Sequence, residues 1–142
     1  MESGPAGLLS SVEHDSMDWP AHYPENCPPR DARPAGGLAY RLTHDPVELE
    51  DFLSLRERKP EIRLPDPIQE CRASGLSVFR DIEDARRLRR RVPHFRNKQN
   101  AIAVGQLSPE FGLMKATYSR SHCTWWVPNG VDRTSPFTIL EE

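Results

Sequence analysis

The stretch Gly75-Leu76-Ser77-Val78-Phe79-Arg80-Asp81-Ile82-Glu83-Asp84-Ala85 decides the fold class, because its period changes half-way. Leu76 to Phe79 is β-rich and alternating, which reads as a strand. From Asp81 the apolar residues Ile82, Ala85, Leu88 and Val92 recur at three or four, the spacing of one helix face. Asp81 is placed to cap that helix, and Pro93 to end it. A strand feeding directly into an amphipathic helix makes this a chain of both helices and strands. The segments that follow are mostly strands.

Downstream, Ala101-Ile102-Ala103-Val104-Gly105-Gln106-Leu107 is nearly continuous in apolar residues and reads as a central strand. Phe111 to Thr117, His122 to Val127 and Phe137 to Leu140 are further β-rich segments, with Asn129-Gly130 as a turn signal. Upstream, Leu38 to Leu42 reads as a short strand. Asp45-Pro46, with Glu48 after it, reads as the opening of a helix that buries Leu49, Phe52 and Leu53. Asp66-Pro67 repeats the device for a short helix to about Ala73, with Gly75 expected as its left-handed stop. The expectation is one small α+β domain over 38–142, with a mixed or antiparallel sheet and about three short helices.

Residues 1–37 read differently. Six of the 14 prolines fall there, the stretch ends in Pro34-Ala35-Gly36-Gly37, and its apolar residues follow neither period. It is expected to be a disordered tail with a flexible joint; Trp19 and Tyr23 either dock on the domain or on a partner or, as is commoner for an aromatic in a tail, stay exposed.

The 142 residues are 37% hydrophobic and 28% charged, with a formal charge of -2. No run approaches the ~18 apolar residues of a membrane span, and the first residues lack the apolar core of a secretory signal. No membrane partner is expected. Cys27, Cys71 and Cys123 are odd in number and widely spaced, so no disulfide framework follows and a cytoplasmic location is the expectation. Metal-ligand spacing is missing: His122 and Cys123 are adjacent, and adjacent strand residues face opposite ways. No metal is expected. Neither a P-loop nor a dinucleotide-binding glycine fingerprint occurs, and Ser77 and Ser121 lack a nucleophile-elbow motif.

Two surfaces stand out. Arg86, Arg87, Arg89, Arg90 and Arg91 cover the helix outside its apolar stripe. They read either as a solvated face or, through Arg86, Arg87 and Arg90, as a patch for an acidic protein or a nucleic acid. Of the neighbours Trp125 and Trp126, alternation puts one in the core and leaves the other either exposed, as a hot spot for a partner, or covered by the tail or a ligand.

From Leu38 to Leu107 the chain order resembles small ADP-ribosyltransferase-like domains. The residues that carry this are Tyr40-Arg41-Leu42-Thr43 before a helix, Gly75-Leu76-Ser77-Val78-Phe79, the Asp81 to Ala85 helix start, and the Ala101 to Leu107 strand. The resemblance implies that Arg41 holds NAD, with Tyr40 or Thr43 beside it, and that Ser77 lies on the nicotinamide side. It also implies a catalytic glutamate on a later strand. The candidates are Glu110, which follows Ser108-Pro109, and the terminal Glu141 and Glu142, and none falls within a strand pattern. Two function classes therefore stand side by side. One is an interaction module whose partner is another protein and which takes no cofactor. The other is an NAD-dependent ADP-ribosyltransferase or NAD-hydrolysing enzyme of toxin or defence type. Nucleic-acid binding through the arginine helix is a third.

Overall fold

A computed structural model describes residues 17–142. Its strands are β1 (Arg33–Pro34), β2 (Gly37–Thr43), β3 (Leu76–Phe79), β4 (Ala101–Leu107), β5 (Leu113–Ala116), β6 (His122–Trp126) and β7 (Phe137–Ile139). Among the described residues they form one seven-stranded sheet in the order β1-β5-β6-β3-β2-β4-β7. Every pairing is antiparallel. The helices are α1 (Leu55–Arg58), α2 (Pro67–Ser74), α3 (Ile82–Arg91) and α4 (Pro93–Asn97). The chain is therefore an α+β domain with a wholly antiparallel sheet. No helix among the described residues is long and apolar enough to cross a membrane.

Local chemistry explains most of these elements. Asp81 caps α3, its side chain accepting from the Glu83 amide at 2.9 Å. Asp66 caps α2 through the Gln69 amide at 2.8 Å, with Pro67 at the first helical position. β4 is paired on both sides, to β2 and β7, although β3 holds the middle of the sheet. Two local expectations change. The first helix does not open at Asp45-Pro46. A 3-10 turn over Leu49–Phe52 is capped by Glu48, and α1 is capped by Ser54, whose hydroxyl accepts from Glu57. The buried Asp51 carboxylate takes the amides of His44 and Glu48 into a turn, which displaces Asp45 as the cap. Gly75 is not left-handed, with φ at -98°. Glycine is needed there because a Cβ would lie 2.5 Å from Thr124 Cγ2 and 3.0 Å from the Trp125 carbonyl oxygen.

One face of the sheet buries Ala39, Leu76, Val78, Ala103, Cys123, Trp125 and Phe137, joined by Phe52 from outside it. The other face packs Leu42, Phe79 and Ile102 under α3 and α4, against Ala85, Leu88 and Phe95. A third cluster corrects the reading of the tail. Met17, Trp19, Tyr23 and Cys27 pack against Cys71, Leu113 and Trp126. β1 pairs with β5, and the Ala35 amide donates to the Gly112 carbonyl at 2.8 Å. Arg80 Nη1 donates to the carbonyls of Gly36 and Leu38, so the Gly36-Gly37 joint is pinned. Residues 17–37 thus belong to the packed body; the rest of the expected tail lies outside the described residues. Cys27 and Cys71 form a disulfide with Cα atoms 5.6 Å apart, although the odd number and wide spacing of the cysteines implied no disulfide framework. That cystine removes the ground on which a reducing compartment was inferred.

Candidate functional site

β2 and β3 share one paired position, Tyr40 opposite Phe79. Beyond it β2 pairs only with β4, and β3 only with β6. Arg41 crosses the opening between them. Its Nε donates to the Asp51 carbonyl at 2.7 Å and its Nη1 to the Ser77 carbonyl at 2.5 Å. The guanidinium carbon lies 5.6 Å from the centroid of the Phe52 ring. Burial, with the Arg58 and Arg133 charges nearby and against the opposing pull of Asp51, brings the Arg41 pKa down to about 10. The group remains a cation at neutral pH.

Two adjoining cavities, of about 230 and 480 Å³, open at this split and share Arg41, Arg58, Ser77 and Phe95. Arg72 and Tyr118 line the larger one, where the Arg72 guanidinium stands 5.1 Å from the Tyr118 ring centroid. Among the described residues, Arg58 and Arg72 have no hydrogen-bond acceptor and no carboxylate partner for their guanidinium groups. By contrast, Arg56 is held by Glu70 at 2.7 Å and Arg133 by Glu57 at 2.7 Å. Among the described residues, Glu50 is the acid in the lining of these two cavities. The cleft therefore combines unneutralised guanidinium groups, aromatic edges and hydroxyls. That donor set matches a phosphorylated ligand.

Ser77 has a second relationship. It pairs with Thr124 across the β3–β6 ladder, and His122 lies two residues along on the same face. Ser77 Oγ and His122 Nε2 are in hydrogen-bond contact. The imidazole packs against Phe79 and Tyr118, with ring centroids at 4.5 and 4.6 Å. Burial holds the His122 pKa below the usual histidine value, while Asp84 pulls it the other way.

The residues singled out from sequence separate into two groups. Arg41 and Ser77 come together in the cleft. Tyr40 packs on the α3 side, and Thr43 is fully buried. Glu110 sits exposed in the 3-10 turn Pro109–Phe111, where the Ser108 side chain holds its carboxyl below the usual range. It does not line either cavity. Trp125 and Trp126 are both fully buried, so neither offers a ring to a partner. Their indole N–H groups donate to the carbonyls of Phe111 and Cys71, at 2.8 and 2.9 Å. The N-terminal segment is what covers Trp126. On α3, Arg86 and Arg89 hold Glu142, and Arg87 holds Asp84 at 2.6 Å. Arg90 carries no ion pair among the described residues. This is mostly a neutralised, solvated face.

Sequence reasoning missed Arg58, Arg72, Tyr118 and the meeting of His122 with Ser77. The last was available only through the β3–β6 register, across 45 residues. His44, Glu48 and Glu50 bring ligand atoms within 4.8 Å of one another, but the Asp51 carboxylate already takes His44 Nδ1 at 2.8 Å. Comparison of the chain with protein-family models, curated proteins and solved structures found no match.

Proposed function

We propose that the protein is a binding module for a small phosphorylated ligand of nucleotide type, held in the split between β2 and β3. The observation that carries the reading is the convergence of Arg41, Arg58 and Arg72 on one cleft, the last two with no acceptor for their guanidinium groups among the described residues. Arginine forks bind phosphate in bidentate fashion, and Phe95 and Tyr118 offer apolar edges to a base or nicotinamide ring. The residues play distinct parts. Arg41 is a strut that shapes the cleft, with Nε and Nη1 committed to the backbone. Arg58 and Arg72 carry the charge contacts to the ligand.

NAD is the first ligand to test, because the chain order of Leu38 to Leu107 resembles ADP-ribosyltransferase-like domains. ADP-ribosyl transfer itself calls for a carboxylate beside the ligand. Glu110 stands outside the cleft lining, and the acid that does line it, Glu50, sits in the 3-10 turn Leu49–Phe52 and not on a later strand, so the binding reading takes precedence over the transferase reading. The experiment is isothermal titration of NAD, ADP-ribose and adenosine into wild type and Arg58→Glu. The reading requires the phosphorylated ligands to bind and adenosine to bind at least about tenfold more weakly, and it requires Arg58→Glu to abolish the difference.

A further inference from the structure

We infer that Ser77 is an activated nucleophile, with His122 as its general base, and that it attacks phosphorus in the ligand bound at the β2–β3 split. The substrate class rests on the binding reading above; the nucleophile rests on its own geometry.

Three features place the pair. The β3–β6 register sets Ser77 diagonal to His122 on one face, and Oγ meets Nε2. With Nε2 accepting from the hydroxyl, the imidazole carries its proton on Nδ1, the form a base needs. Phe79 and Tyr118 pack on the ring, and Arg41 Nη1 fixes the Ser77 carbonyl, so both partners are held from outside the pair. Ser77 faces the cavity that Arg41, Arg58 and Arg72 line, where negative charge on phosphoryl oxygens would be stabilised. Burial favours neutral His122.

The step balances without a metal or an oxidant. Ser77 Oγ forms a bond to phosphorus while its proton passes to His122 Nε2. The bond from phosphorus to the leaving oxygen breaks, and that oxygen takes the proton from Nε2. Water then attacks the phosphoseryl group and gives a proton to Nε2. Ser77 Oγ departs and recovers that proton.

The test is covalent labelling of the full chain with diisopropyl fluorophosphate, read by intact mass and peptide mapping. The phosphorus–fluorine bond breaks, a phosphorus–Oγ bond forms, and fluoride leaves. Labelling is expected on Ser77, absent in Ser77→Ala, and slowed about 100-fold or more in His122→Gln. A folded wild type that stays unlabelled, or a His122→Gln variant labelled at the wild-type rate, overturns the proposal. If His122→Gln fails to fold, the pH profile of wild-type labelling replaces it. The rate must rise with a single ionisation at or below the usual histidine pKa, and a flat profile from acid to neutral pH overturns the proposal. Asp84, Arg87 and Arg91 on α3, with Tyr118 and Arg120 before β6, are the charged and titratable groups facing His122. Labelling without nucleotide binding would remove the substrate class and leave the nucleophile. Nucleotide binding without labelling would do the reverse.

Discussion

Arg41 Nη1 donates to the backbone carbonyl of Ser77 at 2.5 Å, across the point where β2 and β3 cease to pair. A side chain thus replaces a ladder hydrogen bond, and the cleft exists because the two strands part there.

Replacing Arg41 by Met removes this bond and the one to the Asp51 carbonyl. Two charge-assisted bonds to partly buried carbonyls are lost, so a destabilisation of about 2–4 kcal/mol is expected in urea unfolding. Arg58→Ala should leave the unfolding midpoint unchanged, since that side chain holds no partner among the described residues. The contrast separates strut from ligand contact.

Asp51 is fully buried and accepts from the His44 amide, His44 Nδ1, the Glu48 amide and Gln99 Nε2. Asp51→Asn turns one acceptor oxygen into a donor facing those groups, with an expected cost of about 3 kcal/mol. His44 gives a pH signature. Its hydrogen bond to Asp51 raises its folded pKa above the ordinary value. The stabilisation is therefore complete below the unfolded value of about 6.5 and is lost as pH rises through the folded value. The stability difference between wild type and His44→Gln should be larger at about pH 5.5 than at about pH 9.

The Cys27–Cys71 disulfide ties the N-terminal segment to α2 across 44 residues. Loop-closure arguments give such a bridge about 2–4 kcal/mol. Cys27→Ser in an oxidised preparation should lower stability by that amount. It should also increase solvent quenching of Trp126 fluorescence, because the segment it releases is what covers that ring.

Legibility from the sequence followed the range of the interactions. Ala101 to Leu107 was readable because both faces of that strand are apolar, and α3 because Asp81 and the Ile82, Ala85, Leu88 stripe are local signals. Residues 17–37 were not readable. They pack single large side chains, Trp19 and Tyr23, partly buried against Trp126, and show no period. Three cysteines do not say which two will meet. The Arg41 to Ser77 relationship was half visible, as two residues in chain order. The cleft between them depends on where the β2–β3 ladder stops, and Arg58 and Arg72 enter it from separate helices.

The most direct test of the account is NAD titrated into the folded chain with backbone NMR shifts recorded. The account predicts saturable shifts concentrated on Arg41, Arg58, Arg72 and Ser77, lost in Arg58→Glu. A folded sample whose shifts at these positions stay unchanged by NAD, ADP-ribose and inorganic pyrophosphate would contradict it.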